Sequence, residues 1–369
     1  MSEEYTLKPE DTGKILEVDG NDINDETNVI IPNNSNVPFP IGSEVRVYRA
    51  NEKQVKIEAE SGVSLESFSN IGPVFFVPKY SEAQIRKRAL NGWTLDFDGA
   101  LVPPIFAEGG DEVFVIEQDG ILYRVHTFTS DGTFEVTRGG NVEYLVVAGG
   151  GGGGGYGAGG AGGYREGAAF SISPATSYTV TVGGGGAGGV DIGTSGENSV
   201  FSSVTSAGGG GGSGSTDVNA AAGGSGGGGN RGDAGGAGNT PSVFPSQGNN
   251  GGDGGDGNLG GGGGGASAVG QNGTSSKAGD GGAGQVSSIT GTNVTYAGGG
   301  GGGANNELQP GAGGTGGGGA GGRMLSTTVL DAPIAGMANR GGGGGGAGRN
   351  TATGANGGSG IVIVRYRIG

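Results

Sequence analysis

Glycine supplies 97 of the 369 residues, and 83 of these glycines lie between Gly149 and Gly360. Glycine loses more backbone freedom on folding than any other residue, so a long glycine-rich stretch ordinarily disfavours ordered structure. A chain keeps this much glycine only where the stretch is a disordered tract or a structure that requires bare backbone. The choice between these two states decides what this chain can fold into.

The glycine runs have features that a flexible Gly/Ser linker lacks. Segments with apolar residues such as Val243, Ile289 and Val329 interrupt the runs at fairly regular intervals. The absence of a strict Gly-X-Y period excludes collagen. We therefore expect a packed bundle of polyglycine-II helices, which have three residues per turn and no internal hydrogen bonds. Only glycine lets neighbouring backbones approach closely enough to satisfy every N–H and C=O laterally.

Strand patterns lie on both sides of the glycine runs. Residues 142–148 form an apolar strand that leads directly into Gly149, and residues 361–367 form a closing strand directly after Gly360. We expect three parts: a β-rich attachment module (1–100), a linker with β-strands leading into the base of the next domain (101–148), and a polyglycine-II domain closed by β-strands at its base (149–369). The fold class is mostly β, with little or no α-helix. Only residues 82–90 could form a helix, and a short one.

Composition excludes several classes of protein. The chain has no cysteine, so no disulfide or thiolate metal site holds the fold. No apolar run is long enough to cross a membrane as a helix. The first residues are polar and acidic, so we expect no signal peptide and synthesis in a cytoplasm. The net charge of −15 and the lack of a basic stripe argue against nucleic-acid binding.

Four sequence landmarks resemble, in this order, the glycine-rich domains of bacteriophage tail-fibre proteins. They are Phe134–Gly150, Tyr178–Gly184, Gly196–Phe201 and Gly357–Tyr366. Residues 28–98 resemble, more loosely, a small β module that is common in phage fibre proteins.

The resemblance implies a virion protein of the tail fibre, made in the host cytoplasm. Tip adhesins of the T-even-like group carry a polyglycine-II sandwich whose end loops contact the host surface. The implied partners are a host surface polysaccharide or outer-membrane protein, and other phage tail proteins through the N-terminal module. The protein is then a homotrimer or a single copy on a trimeric fibre.

The apolar interruptions at 239–250, 285–297 and 323–340 are the best candidates for binding loops. The candidate receptor-binding residues are Phe244, Tyr296, Met324, Leu325 and Met337. Aromatic residues and methionine are enriched at binding surfaces. The same side chains are equally suited to seal the ends of the bundle. The sequence does not decide which loops share an end, because a long run can form one helix or an up-and-down pair.

We expect no enzyme, no cofactor and no metal site. His126 is the only histidine, and no Walker lysine follows any of the glycine-rich matches to nucleotide-binding motifs. Residues 251–259 nearly fit a calcium-binding nonapeptide repeat, except for Asn258 at an aliphatic position. Whether calcium binds near Asp253 and Asp256 stays open. Three rivals to an adhesin are a purely structural fibre or decoration protein, an ice-binding protein and a tail-spike depolymerase.

Overall fold

The computed structural model describes residues 3–18, 26–49, 54–67, 70–71, 74–77, 82–97, 105–214, 219–349 and 351–368. Two compact units divide the chain, Met1–Pro104 and Ile105–Arg367. Within the described ranges the one helical element is a short 3₁₀ turn, Pro9–Asp11, and all other regular elements are strands. The expected fold class, mostly β with little or no α-helix, is confirmed.

The first unit contains two β-sheets around one apolar core. The four-stranded sheet has the spatial order β1 (Glu3–Thr6), β3 (Glu26–Ile31), β5 (Gln54–Ala59) and β8 (Val74–Val77). The six-stranded sheet has the order β2 (Ile15–Val18), β4 (Glu44–Arg49), β9 (Glu82–Ala89), β10 (Gly92–Phe97), β6 (Ser64–Ser67) and β7 (Asn70–Ile71). Leu7, Ile57 and Trp93 are among the fully buried residues of the core that the two sheets share.

The short helix that the sequence allows over 82–90 does not form, because this segment is strand β9. The burial pattern alternates with period two, and Ala83, Ile85 and Lys87 point into the core. Strands β4 and β10 flank β9 on both sides, so its backbone groups are paired in the sheet. Lys87 enters the core by donating from Nζ to the Phe39 carbonyl oxygen at 2.8 Å. Burial lowers the pKa of this ammonium group.

The second unit begins with two five-stranded sheets, which form the base of the bundle. The first has the order β11 (Phe106–Glu108), β14 (Gly132–Arg138), β17 (Thr176–Thr181), β18 (Ser199–Phe201) and β19 (Val204–Ser206). The second has the order β12 (Glu112–Gln118), β13 (Ile121–Phe128), β25 (Ile361–Arg367), β15 (Gly140–Val147) and β16 (Tyr164–Ile172). Aromatic rings link the two sheets: Phe134 of β14 packs edge-on against His126 and Tyr366.

The strand before the glycine runs and the strand after them are neighbours in the base. Strand β25 pairs antiparallel with β15, and Val147 lies opposite Ile361. The chain therefore leaves the base at the end of β15 and returns to it at the start of β25, and these two strand ends are paired neighbours in one sheet. This arrangement confirms that β-strands close the glycine-rich domain.

Backbone hydrogen bonds show that the glycine runs form a polyglycine-II bundle. Along 149–154, successive N–H groups donate in rotation to three neighbouring segments, 194–197, 355–358 and 157–160. Every third N–H returns to the same neighbour, as expected for a helix with three residues per turn. The carbonyl oxygens of these residues accept in the same rotation from another three segments, which are 209–212, 186–189 and 344–347. Six neighbours thus surround one glycine helix.

Close approach of these backbones leaves no room for side chains. A Cβ added to Gly152 would lie within 3.0 Å of the Ala187 carbonyl group, and one at Gly262 would meet Asp280 in the same way. The interior positions of the bundle therefore require glycine because it has no Cβ. The ability of glycine to adopt the left-handed conformation matters little there. The bundle is held by the main chain, which explains how it stays ordered at this composition.

Polar side chains complete the bundle where a neighbouring segment is missing. The Asn356 Oδ1 accepts from Gly188 N at 2.9 Å, and the Asn198 Oδ1 accepts from Gly208 N at 2.9 Å. Asp280 Oδ1 accepts from Ala312 N at 2.7 Å. Each of these side-chain oxygens takes the place of a main-chain carbonyl, so the outer helices keep their N–H groups satisfied.

Candidate binding surface at the tip of the bundle

The chain runs up and down the bundle, and hydrogen-bond register assigns each turn to one of two ends. Gly149 follows β15 and Gly163 precedes β16, so the turn at 155–156 between them lies at the far end from the base. Gly303 N donates to the Tyr156 carbonyl oxygen at 2.8 Å, which places the next segment at the same level. We call this far end the tip. Among the described residues, its turns include 155–156, 190–192, 230–232, 256–258, 274–277, 305–308 and 323–332.

The largest described feature of the tip is a small three-stranded sheet. Its strands are β22 (Ala304–Asn305), β23 (Arg323–Leu325) and β24 (Thr328–Asp331), in that order. Arg323 Nε and Asp331 Oδ2 form an ion pair at 2.8 Å, and a guanidinium nitrogen of Arg349 donates to the Ser326 carbonyl oxygen. These contacts hold the β23–β24 hairpin at both of its ends.

The hairpin presents apolar side chains to solvent. Every residue of β24 is exposed, Val329 by 54 %, and Ile334 just after the hairpin is exposed by 58 %. Leu325 and Leu330 are exposed as well. Main-chain bonds hold the bundle below, so these side chains are not needed to stabilise it. Contiguous exposed apolar residues on an ordered element are typical of an interaction surface.

The five candidate residues are divided between the two ends of the bundle. Met324 and Leu325 lie together at the tip, where Met324 is buried and Leu325 is exposed. Phe244 lies on a loop at the base end and is 93 % exposed. Met337 is also exposed and precedes the turn at 338–340.

Tyr296 occupies a sealing position at the base. It is only 3 % exposed and packs with Val125, Leu145 and Ile363 of the base sheets. The Arg340 guanidinium lies 5.0 Å from the centre of its ring. Burial raises the pKa of Tyr296, while the nearby charge of Arg340 acts in the opposite direction. The side chain therefore has little surface with which to contact a partner.

The sequence reasoning did not select Val329, Leu330 and Ile334 as site residues. Their signal is the apolar pair at 329–330 after the turn at 326–327, in a loop that also holds Met324, Leu325 and Met337. Their exposure follows from the position of β24 at the edge of a sheet on the tip, which the sequence does not reveal.

Acidic side chains near the tip take part in the bundle's hydrogen bonds. The Asp253 carboxylate accepts from Gly235 N at 3.0 Å and from the Asn272 side-chain amide at 3.4 Å. Over the described part of the chain, no three His, Cys, Asp or Glu side chains come together in a way that could hold a metal ion. Nor does any helix in those ranges have the length and apolar character to cross a membrane.

A comparison with family models finds a match to a family described as a glycine-rich domain, over residues 127–367. The match covers well over half of the chain. It begins within β13 and ends with β25, so it contains every glycine run and most strands of the base. No curated protein matches the chain.

Proposed function

The chain belongs to the glycine-rich domain family, and from this premise we propose that it is a non-enzymatic bacteriophage protein, a tail fibre or fibre-tip adhesin, which binds a host-cell surface through the tip of its bundle. The partner is a surface polysaccharide or an outer-membrane protein. The first unit attaches the protein to other tail proteins, in a homotrimer or as a single copy on a trimeric fibre.

One observation carries this proposal. The tip hairpin exposes Leu325, Val329 and Ile334 on a scaffold whose stability comes from main-chain hydrogen bonds elsewhere. Rigid scaffolds that position variable loops are a general solution for binding. The resemblance of the four sequence landmarks to phage tail-fibre domains supports the assignment to a virion.

The test is binding of the labelled 369-residue chain to a panel of bacterial strains that includes the natural host. The tip variant carries Leu325→Ser, Val329→Ser and Ile334→Ser. The matched control carries Ile15→Ser, Ile41→Ser and Leu90→Ser, which remove three exposed apolar side chains from the first unit. We expect saturable binding that weakens at least about tenfold in the tip variant, equivalent to about 1.4 kcal/mol, and is unchanged in the control.

Two other results have defined meanings. Undiminished binding by the tip variant would leave adhesion standing and remove the tip hairpin as its site. No saturable binding to the natural host would favour the alternative, a purely structural fibre or decoration protein.

A further inference from the structure

Strand β12 (Glu112–Gln118) lies at the edge of the second base sheet, and its outer side has no partner strand among the described residues. It pairs with β13 over all 7 of its residues without a register shift. Its sequence contains no proline, glycine, lysine or arginine. At the edge of a sheet, the outward N–H and C=O groups of such a strand can pair with another chain. β12 therefore offers a regular edge to which a further strand can add.

The other three edges of the two base sheets are short, interrupted or covered. β11 and β19 have 3 residues each, and the pairing of β11 with β14 contains a register shift. β16 is longer, but its pairing with β15 is also shifted, and its Tyr164 N–H donates to the Gln247 carbonyl oxygen outside the sheet. Proteins blunt strand edges in these ways to avoid unwanted pairing. The edge of β12 lacks all of these features.

Apolar side chains lie on both faces of β12. Phe114 and Ile116 pack on one face against the core of the base. Val113 and Val115 lie on the opposite face and are 48 % and 50 % exposed. These two valines border a cleft of about 400 Å³, whose lining also includes Phe106 of β11. An added strand would cover both valines, and its side chains on this face would reach the cleft.

The chain around β12 is strongly acidic. Residues 106–123 include no lysine and no arginine, and their acidic side chains are all exposed; these are Glu108, Asp111, Glu112, Glu117 and Asp119. Over the described part of the chain, none of these carboxylates takes part in an ion pair. The cation that lines the same cleft, Arg124, lies over the Phe106 ring. Unpaired carboxylates along one strand favour a partner with basic residues.

We propose that the β12 edge binds an extended segment of another protein by strand addition. β-Branched residues of the added strand lie against Val113 and Val115, and lysine or arginine at its two ends lies near Glu112 and Glu117. In this mode main-chain hydrogen bonds give affinity and alternate side chains give specificity. A second copy of this chain fits the edge poorly, because its own β12 carries the same carboxylates within a net charge of −15. This site is separate from the tip hairpin and does not depend on whether the tip binds a host.

A peptide titration of the isotope-labelled 369-residue chain tests this site, with amide NMR shifts and hydrogen exchange as the readouts. The probe is the peptide Lys-Thr-Val-Thr-Val-Thr-Lys, added up to millimolar concentration, and the matched peptide has glutamate at both ends. We expect saturable shifts on β12 with the basic peptide and slower exchange of alternate amides over 112–118. The acidic peptide should bind at least about threefold more weakly, the effect of two exposed ion pairs.

Two variants separate strand addition from unspecific attraction between charges. Val115→Lys removes an apolar contact at the centre of the edge, and its matched control is Val269→Lys, at an exposed valine outside β12. We expect the affinity for the basic peptide to fall at least about tenfold in Val115→Lys and to stay unchanged in the control. The double variant Glu112→Lys and Glu117→Lys should prefer the acidic peptide. All these side chains are exposed, so the substitutions leave the core intact.

The absence of shifts on β12 with the basic peptide would overturn the proposal. Equal affinity for the two peptides, or undiminished binding in Val115→Lys, would overturn it as well. Sedimentation is the remaining check: concentration-dependent dimers that Val115→Lys abolishes would assign this edge to a second copy of the chain and would refute a basic partner. The titration uses no cells, so its outcome is distinguishable from that of the adhesion test.

Discussion

The guanidinium group of Arg365 donates to one carboxylate oxygen of Glu143, from Nε at 2.8 Å and from Nη2 at 2.6 Å. Arg365 lies on the closing strand β25 and Glu143 on β15, so this pair joins the two strands between which the whole bundle is inserted. The remaining nitrogen donates to the carbonyl oxygens of Ser288 and Ile289 at 3.2 and 3.1 Å. Arg365 is 8 % exposed, and its guanidinium lies 4.5 Å from the centre of the Tyr123 ring.

We expect Arg365→Met to destabilise the second unit by about 2–4 kcal/mol, because it leaves buried carbonyl oxygens and one carboxylate without their donor. Glu143 is partly exposed, so water can solvate its carboxylate and reduces the cost of losing the arginine. Calorimetry should show a Tm lower by about 5–10 °C. Glu143→Gln, which keeps an acceptor, is the matched control and should cost less than half as much. A loss below about 1 kcal/mol in Arg365→Met would contradict the role of this pair.

The bundle's demand for glycine can be tested at two positions with different surroundings. Gly152→Ala places a methyl group against the Ala187 carbonyl, whereas Gly184→Ala meets only the Glu197 carboxylate, at 3.1 Å. Backbone cannot move aside as a side chain can, so we expect a loss of at least about 3 kcal/mol for Gly152→Ala and less than about 1 kcal/mol for Gly184→Ala. Chemical denaturation of both variants measures the difference. Equal losses would show that the bundle adapts to side chains.

Gln247 offers a prediction about the loop that carries Phe244. Gln247→Met keeps about the length of the side chain but removes its bonds to Ala207 and Pro241, leaving a buried N–H unsatisfied. We expect a cost of about 2–3 kcal/mol and faster hydrogen exchange at the Ala207 amide. Exchange at Gly152, deep in the bundle, serves as the internal reference. Unchanged protection at Ala207 would indicate that another acceptor replaces the glutamine.

The sequence predicts the architecture of this protein better than its surfaces. The bundle follows from the lateral hydrogen bonds that a glycine backbone without side chains requires. The strands at 142–148 and 361–367 follow from their apolar runs. The segment 82–90 does not reveal itself as a strand, because its alternation includes Lys87, a charged residue that is buried in the core by donating to the Phe39 carbonyl oxygen. Candidates such as Tyr296 and Leu325 could not be separated by sequence, because the end at which a loop emerges depends on how many times the chain reverses.

His126 gives a prediction about pH. Its Nδ1 lies 2.7 Å from the Gly109 carbonyl oxygen, which can only accept, so Nδ1 carries the proton and Nε2 faces the Tyr366 hydroxyl at 3.2 Å. Burial lowers the pKa of His126 below its ordinary value, the bond to Gly109 opposes this shift, and the charge of Arg124 adds to it.

A lowered pKa in the folded state means that the unfolded chain binds a proton at a higher pH than the folded chain does. Stability from this residue is therefore fully present above about pH 6.5 and falls as the pH drops from 6.5 toward the folded-state pKa. Between pH 7.5 and 5.5 the wild type should lose up to about 1.4 kcal/mol more than His126→Gln, whose side chain does not titrate. The absolute stability of His126→Gln does not affect this comparison, because only the changes in the free energy of unfolding with pH are compared.

The same residue can be observed directly, because the chain has one histidine and its imidazole Cε1 proton gives a single NMR resonance. We expect that resonance to titrate below pH 6.5 in the folded protein and near 6.5 in the urea-unfolded chain. A folded-state pKa at or above 6.5, or equal slopes for wild type and His126→Gln, would contradict the buried, neutral imidazole. Agreement of the NMR titration with the slopes would show that His126, which packs between Phe134 and Tyr366 in the base, accounts for this part of the pH dependence.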